Sequence, residues 1–199
     1  HFLYNTLDSI IWMIQSKKYE GAGKMVSMLA KFFRISLSQG KDIIPLQKEL
    51  EHAVSYLSIQ NVRFQDKFTF TVDWDEKLAD CLCPKLVIQP LLENAVYHGM
   101  EGMYEDGEIQ LKIYAVNELV HIDVIDNGEG MTEAQVQKMM QGDVVSSKRG
   151  SGIGVKNVND RIKLYFGEAY GVQIISAPDE GTTARIYFPM RRQEDETEK

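Results

Sequence analysis

The sequence predicts an α+β protein, in which an all-helical N-terminal part precedes a second half with one mixed or antiparallel sheet and helices on one face. In the first 66 residues, apolar side chains recur every three to four positions, as in amphipathic helices. From residue 67 onward, strand-like alternation of apolar and polar residues separates shorter helical segments. The chain has 199 residues, 44% of them hydrophobic, which is enough to bury a substantial core.

The N-terminal part is expected to hold three helices. Apolar residues follow helical spacing over residues 2–14 and again over residues 25–37, and we expect the glycine-containing segment 19–23 to separate these two helices. Gly40 is expected to end the second helix. Because two short amphipathic helices cannot bury both apolar stripes alone, we expect two copies of the hairpin to form a four-helix bundle in a homodimer.

Proline and residue alternation mark the elements that follow. Pro45 is expected at the first position of the third helix, which buries Leu50 and Leu57 and ends near Arg63. The second half is expected to contain strands at residues 68–74, 107–115, 119–126, 172–177 and 183–189, helices at residues 84–98 and 155–166, and between these a short helix with Thr132 as N-cap in a capping box with Gln135.

The composition excludes several classes of protein. The formal net charge of −7 leaves no broad basic face, so we expect no nucleic-acid partner. The sequence has no run of about 18 apolar residues that could span a membrane. Cys81 and Cys83 lack the further cysteines or histidines that a zinc site needs, so we predict reduced thiols.

An acidic residue followed by glycines is the first candidate binding element. Asp126 ends an apolar strand and opens the sequence DNGEG at residues 126–130. A carboxylate there could accept a hydrogen bond from an exocyclic amine such as that of adenine. Gly128 and Gly130 would let a ligand or another segment approach the main chain. Considered alone, this segment is better explained as an ordinary Asp-Gly turn.

A second glycine-rich loop runs directly into a helix. Gly150, Gly152 and Gly154 would expose main-chain N–H groups at a helix N-terminus, which is typical of an anion site. The pattern also resembles the dinucleotide-binding fingerprint, but no parallel βαβ unit precedes it, and we reject that interpretation.

The third candidate is a set of polar residues in an otherwise apolar helix. Glu93, Asn94 and His98 interrupt the apolar segment 91–99, and the last two are four residues apart on one face. An amide oxygen at Asn94 would suit Mg²⁺, a hard cation that retains most of its water. A hydrogen-bonded helix end without any ligand is the alternative.

In this order, the three elements resemble the ATP-binding domain of the superfamily shared by DNA gyrase, MutL, heat-shock chaperone ATPases and sensor histidine kinases. Residues 93–98 resemble the N box, residues 126–130 and 150–154 the two glycine boxes, and residues 181–183 the late glycine-threonine element. The resemblance covers roughly residues 68–190. It implies an α/β sandwich with a mixed sheet and a mobile lid at residues 131–149.

The same resemblance implies ATP and Mg²⁺ as cofactors. Asp126 would bind adenine, and Asn94 would hold the metal ion. The nucleotide-binding residues implied by the match are Asn94, His98, Asp126, Gly128, Gly130, Gly150, Gly152, Gly154 and Thr182.

The first half resembles the acceptor region of sensor histidine kinases of the LytS/YesM type. The match rests on residues 1–7, with the sequence HFLYNTL, and on the run from residue 46 to residue 64. It implies that His1 is the phosphoacceptor, since neutral imidazole is a competent nucleophile near pH 7. Asn5, one helical turn on, would orient the ring, and Glu93 is a candidate base. Without a nucleotide site, His1 would be interpreted as a packing residue at a helix end.

Position 90 separates the kinase interpretation from its rivals. Hydrolysing relatives place a general-base glutamate there, whereas this chain has Pro90, which cannot activate water. We therefore expect ATP-dependent autophosphorylation of His1 and phosphotransfer to an aspartate of a response regulator receiver domain. The alternatives are an ATP-driven conformational clamp and a nucleotide-binding module without kinase activity.

The resemblance also implies an organisation of the chain. We expect a dimerisation and phosphoacceptor region at residues 1–66, an ATP-binding catalytic domain at residues 67–191 and a disordered acidic tail at residues 192–199. The sequence begins on a helical residue without an initiator methionine, which suggests a fragment. We expect a cytoplasmic domain of a plasma-membrane protein, with membrane contact only through segments N-terminal to His1.

Overall fold

The computed structural model describes residues 1–37, 41–65, 67–99, 106–143 and 153–192, without the side chains of residues 98 and 99. The helices are α1 (Phe2–Gln15), α2 (Tyr19–Leu37), α3 (Leu46–Arg63), α4 (Gln89–Asn94), α5 (Glu133–Gln141) and α6 (Ile153–Phe166), with a 3₁₀ turn at Glu76–Leu78 and a π-helical turn at Ala95–Gly99. The strands are β1 (Ile43–Pro45), β2 (Phe68–Trp74), β3 (Leu82–Pro84), β4 (Gly107–Val116), β5 (Leu119–Asp126), β6 (Gly171–Ser176) and β7 (Thr182–Pro189).

The two helices of the N-terminal hairpin pack against α3. Met25 and Leu29 of α2 are buried with Tyr56 of α3 in one apolar cluster. The ring of Phe2, at the start of α1, lies 4.8 Å from the ring of Phe32 and 5.3 Å from that of Tyr56. The start of α1 is therefore fixed against the middle of α3.

The hairpin turns earlier than the sequence suggested. α1 ends at Gln15, and Lys17 adopts a left-handed conformation with a φ of 59°, which breaks the helix there. The segment 19–23, expected to be the break, instead forms the first turn of α2. The glycines at residues 21 and 23 are tolerated inside a helix at a modest cost. Gly40 lies outside the described residues.

The expected positions of two prolines were wrong. Pro45 precedes α3 and ends β1, and Pro84 ends β3 instead of opening a helix. β1 and β3 pair in antiparallel fashion as a small two-stranded sheet. A helix cannot run on from Pro84 because Leu86 has a φ of 58°, so α4 begins only at Gln89.

The second half is built on a mixed sheet with the order β2-β4-β5-β7-β6. β2 and β4 are parallel, and the other neighbouring strands are antiparallel. Apolar residues of the sheet form one core with α4 and α6: Leu111, Ile122 and Ile186 from the strands, Leu92 from α4 and Ile162 from α6. This arrangement confirms the expected sheet, with its helices on one face.

The edge of the sheet that carries the site is set by strand register. β4 and β5 pair from Val116 opposite Leu119 to Ile109 opposite Asp126. β5 and β7 pair so that Asp126 lies opposite Thr182. The end of β5 and the start of β7 therefore meet at one edge, together with the loops that continue from them.

A buried carboxylate on α3 joins the helical part to α4. Glu49 is fully buried, and its oxygens accept hydrogen bonds from the N–H groups of residues 86, 87 and 88 at 2.8, 2.7 and 3.0 Å. Burial raises the pKa of Glu49, and the three amides, which favour the carboxylate, oppose that rise. These bonds supply an acceptor to amides that precede α4 and would otherwise be buried without partners.

Replacing this carboxylate tests how much the junction contributes to stability. Glu49→Ala leaves three buried N–H groups without an acceptor, and we expect the free energy of unfolding to fall by about 3 kcal/mol or more. Urea denaturation followed by circular dichroism measures this loss. Glu51→Ala is the matched control, because Glu51 is a glutamate of the same helix whose carboxylate forms partly exposed ion pairs with Lys48 of α3 and Lys31 of α2. We expect it to cost about 0.5 kcal/mol or less. Equal losses in the two variants would contradict this account.

Candidate functional site

Asp126 lies at the end of β5, almost completely buried at 9% exposure. One carboxylate oxygen accepts a hydrogen bond from the N–H of Gly128 at 3.0 Å, and the N–H of Thr182 also donates to the carboxylate. Burial raises the pKa of Asp126 to about 6, and the two amides oppose this rise. At neutral pH the site therefore holds a buried carboxylate that can accept a further hydrogen bond from a ligand.

Two loops beside Asp126 touch through their main chains, so that only glycine fits at the contact. Gly130 has a φ of +67°, and a Cβ atom there would lie 1.9 Å from the carbonyl oxygen of Ala177. Gly181 has a φ of +74°, and its Cβ would lie 2.1 Å from the carbonyl oxygen of Asp126. The N–H of Asp179 donates to the carbonyl of Glu129 at 2.7 Å. The loop 126–130 is thus held by the turn 177–181.

Ser176 completes this junction, although the sequence did not single it out. Its hydroxyl accepts a hydrogen bond from the N–H of Met131 at 2.9 Å and donates to the carbonyl of Gly181 at 2.8 Å. The hydroxyl oxygen of Thr182 lies 3.0 Å from the hydroxyl oxygen of Ser176. A single serine at the end of a strand has no motif around it that would reveal this role. Thr182 therefore supports Asp126 through its N–H and Ser176 through its side chain.

Asn127 fixes the other side of the same loop. Its side-chain oxygen accepts from the N–H of Glu108 at 2.8 Å, and its amide nitrogen donates to the carbonyl of Asp106 at 3.0 Å. The loop after β5 is thereby fastened to the start of β4, and Asp126 is held from both sides.

The predicted N box, residues 93–98, begins at the end of α4 and continues into the π-helical turn Ala95–Gly99. Glu93 and Asn94 are half-buried at the end of α4, and Glu93 accepts a hydrogen bond from the side chain of Gln89 at 2.8 Å. Single π-helical turns inside helices are frequent at functional sites. His98 lies on this turn, with its side chain outside the described part of the structure.

The second glycine-rich loop ends next to the N box. A Cβ atom at Gly154, in the first turn of α6, would lie 3.4 Å from the Cβ of Pro90. The structure thus brings position 154 against the helix that carries Glu93 and Asn94. Gly150 and Gly152 lie outside the described residues, as do residues 144–149 of the expected lid. Within the lid, residues 133–141 form α5.

The donor set at Asn94 suits a magnesium ion that takes most of its ligands from elsewhere. Among the described residues, no group of three or more histidine, cysteine or acidic side chains could hold a metal ion. A single amide oxygen at Asn94 fits Mg²⁺ when phosphate oxygens and water fill the remaining positions. Cys81 and Cys83 are buried and free of disulfides, and burial raises the pKa of Cys83 well above its ordinary value.

His1 caps the start of α1 and is exposed. Its carbonyl accepts the N–H of Asn5 at 3.0 Å, so the hydrogen bond that joins these two residues uses main-chain atoms. Asn5 is half-buried, and its own carbonyl accepts from the hydroxyl of Ser9 at 2.9 Å. The expected orientation of the His1 ring by the Asn5 side chain stays a prediction.

The mixed sheet with helices on one face is the fold of a known family of ATPase domains. Residues 80–192 match the family model described as histidine kinase-, DNA gyrase B-, and HSP90-like ATPase, and the chain belongs to this family. Residues 1–68 match a second model, described as histidine kinase. The helical part and the sheet domain thus each match a family model whose description includes histidine kinases.

The chain is similar to several bacterial sensor kinases. It is 38% identical over 193 residues to sensor histidine kinase YesM of Bacillus subtilis, a match that covers 97% of this chain and 32% of that protein. It is 32% identical over 197 residues to sensor protein LytS of Bacillus anthracis, which covers 98% of this chain and 33% of that protein. The chain thus spans about a third of the length of these relatives.

Solved structures confirm the fold. A histidine kinase domain from Erythrobacter litoralis, of the blue-light activated kinase EL346, superposes with a TM-score of 0.56 at 17% identity and covers 89% of this chain and 83% of that one. The catalytic domain of histidine kinase ThkA superposes with a TM-score of 0.57 at 16% identity and covers 74% of this chain and 96% of that one. In the described part of this chain, no helix is both long and apolar enough to cross a membrane.

The contact between the two loops makes a prediction for glycine substitutions. Gly130→Ala places a methyl group on a main-chain oxygen at a positive φ, and we expect the free energy of unfolding to fall by about 2 kcal/mol or more. Gly23→Ala is the control, since a Cβ at this exposed helical position meets no atom within 4 Å. It is expected to stabilise the protein by about 0.5–1 kcal/mol. Urea denaturation of both variants checks the opposite signs, and a neutral Gly130→Ala would refute the close contact.

Proposed function

We propose that this chain is the catalytic part of a two-component sensor histidine kinase. ATP with Mg²⁺ would phosphorylate His1, and the phosphoryl group would then pass to an aspartate of a response regulator receiver domain. The observation that carries this proposal is the combination, in one chain, of a buried carboxylate in a rigid glycine loop and an exposed histidine at the start of α1. The family matches to both halves support it.

The nucleotide would bind at the sheet edge. Asp126 would accept the exocyclic amine of adenine, which explains why a carboxylate is kept nearly buried there with spare acceptor capacity. Asn94 would contribute its amide oxygen to Mg²⁺. The other proposed contacts come from Gly128, Gly130, Gly150, Gly152, Gly154, His98 and Thr182.

Transfer would require little covalent chemistry from the protein. An unprotonated imidazole nitrogen of His1 would attack the γ-phosphorus while the bond to the β–γ bridging oxygen breaks and ADP leaves. Glu93 is the proposed acceptor of the proton on the other ring nitrogen. Pro90, at the position where hydrolysing relatives carry a base, offers no group that could activate water.

A second copy of the chain is the proposed partner in the helical part. α1 presents a half-exposed apolar surface that includes Tyr4, Ile11, Trp12 and Ile14. Such a continuous apolar surface favours burial against an identical hairpin in a four-helix bundle. We propose that the chain lies in the cytoplasm and that the whole protein is held in the plasma membrane by segments N-terminal to His1.

Labelling with γ-labelled ATP and Mg²⁺ tests the kinase assignment in the full-length protein. Wild type is expected to gain acid-labile, alkali-stable label, as a phosphohistidine does. His1→Gln is expected to lose the label while it still binds ATP. Asn94→Asp is expected to lower the rate of labelling at least about tenfold, because it disturbs the metal position at the reacting phosphate. Label that persists in His1→Gln would overturn the acceptor assignment, and phosphate release without any label would favour an ATPase clamp.

The raised pKa of Asp126 predicts how adenine binding depends on pH. An amine that donates to the carboxylate favours its ionised form, so the pKa of Asp126 falls in the complex and binding releases a proton below about pH 6. Affinity for adenosine should therefore rise between about pH 5 and pH 7 and level off above, by up to about tenfold for a shift of one pKa unit. Adenosine has no phosphate that titrates in this range.

Asp126→Asn is the matched control for this experiment. This variant lacks the carboxylate that titrates and retains the histidines of the chain. It should therefore bind adenosine more weakly and without the rise in affinity between pH 5 and pH 7. Isothermal titration calorimetry measures both dissociation constants. An identical pH profile in Asp126→Asn would assign the dependence to another group and remove Asp126 from the adenine contact.

A further inference from the structure

Buried polar side chains on α3 link the start of α1 to the N box. Tyr56 and Gln60 are both fully buried on α3, although they belong to no part of the nucleotide site. The amide nitrogen of Gln60 donates to the hydroxyl of Tyr56 at 2.7 Å and lies 3.4 Å from the hydroxyl of Tyr97. Tyr97 lies on the π-helical turn, next to His98 and three residues after Asn94.

Arg63 closes this set of contacts. One guanidinium nitrogen donates to the side-chain oxygen of Gln60 at 2.7 Å and to the hydroxyl of Tyr97 at 3.0 Å. The guanidinium also lies over the ring of Phe64, 4.5 Å from its centre. Tyr97 is therefore held by two donors from α3, one of which carries a charge. We call Tyr56, Gln60, Arg63 and Tyr97 the α3 bridge.

Tyr56 connects the start of α1 with the rest of the α3 bridge. The centre of its ring lies 5.3 Å from the centre of the ring of Phe2, the neighbour of His1. Burial raises the pKa of Tyr56, and the negative charge of Glu93, the neighbour of Asn94, adds to that rise. Tyr56 thus contacts the start of α1 through its ring and is connected to Tyr97 of the π-helical turn through the amide of Gln60.

Stability alone does not explain why these residues are polar. A buried polar network contributes little net stability relative to apolar residues of the same shape, because its groups must first lose their water. What hydrogen bonds of fixed geometry provide is orientation. For phosphoryl transfer, orientation matters greatly, since a displacement of about 1 Å costs about a hundredfold in rate.

We propose that the α3 bridge is a set of positioning residues that fix the N box relative to the acceptor end of α1 for transfer to His1. This inference rests on the proposed function. None of the four bridge residues is among the proposed nucleotide contacts, and the loop 126–130 is held separately by the turn 177–181 and by Asn127. Loosening the bridge should therefore slow transfer and leave ATP affinity almost unchanged.

Two tyrosine variants test this separation. Tyr97→Phe removes the hydroxyl that accepts from Arg63 and Gln60. Tyr114→Phe is the matched control, because it removes a hydroxyl that donates to Asp123 at 3.0 Å on the outer face of the sheet, away from the bridge. Single-turnover labelling of His1 and calorimetric binding of a non-hydrolysable ATP analogue are measured in the full-length protein, with urea midpoints for both variants.

Tyr97→Phe is expected to lower the labelling rate about tenfold or more, with the dissociation constant for the analogue within about twofold of wild type. Tyr114→Phe is expected to change neither the labelling rate nor the dissociation constant. The urea midpoints of Tyr114→Phe and Tyr97→Phe are expected to fall by similar amounts. The double variant Tyr56→Phe/Tyr97→Phe should be no slower than the slower single variant, because both hydroxyls act through Gln60. If Tyr97→Phe does not fold, Arg63→Lys, which keeps the charge and loses the planar fork, is expected to show the same slow transfer with unchanged binding.

The outcomes separate the two proposals. Tyr97→Phe with a wild-type labelling rate, or with a loss of ATP affinity that accounts for all of the slower labelling, overturns the bridge and leaves the kinase assignment intact. Wild type that binds ATP without labelling His1 overturns the proposed function, and the role of the bridge falls with it.

Discussion

The burial of Glu49 is the constraint on which the arrangement of the site depends. Its carboxylate accepts three main-chain N–H groups from residues 86–88, immediately before α4. Leu86 is left-handed, so the chain cannot reach α4 as a continuous helix and needs an external acceptor for these amides. Because the acceptor belongs to α3, the start of α4 has a fixed position relative to the helical part. Glu93 and Asn94 lie at the end of the same short helix, so their position relative to α3 is fixed as well.

The other half of the site is held by main-chain contact. Gly130 and Gly181 allow two loops to approach so closely that a methyl group on either would overlap a carbonyl oxygen. Ser176 and Asn127 add side-chain hydrogen bonds on the two sides. This rigidity keeps Asp126 buried without a full set of donors, which explains its raised pKa. A ligand that donates to the carboxylate, as proposed for adenine, would recover the free energy that its burial costs, and the loop would be organised before that ligand arrives.

The sequence predicted the elements whose pattern is local. The strand at residues 68–74, the strand at 119–126 and the capping box at Thr132 have the expected positions, because alternation and capping depend on neighbouring residues. The two-stranded sheet was missed because three-residue strands have no measurable period. Glu49 was missed because its partners lie 37 to 39 residues away in the sequence. An isolated glutamate on a helix is ordinarily interpreted as a surface residue, and only tertiary contact shows otherwise.

The contacts that hold α4 and the π-helical turn come from α3, whereas those that hold Asp126 come from the sheet and its loops. α3 holds the N box at both ends, through Glu49 before α4 and through Arg63 and Gln60 at Tyr97 after it. The sheet and its loops hold Asp126. A displacement of α3 relative to the sheet would therefore carry Asn94 with it and leave Asp126, the proposed adenine contact, in place. Because α1 and α2 pack on α3, a change in the hairpin would, under the proposed function, alter the alignment of phosphate and histidine without moving the proposed adenine contact.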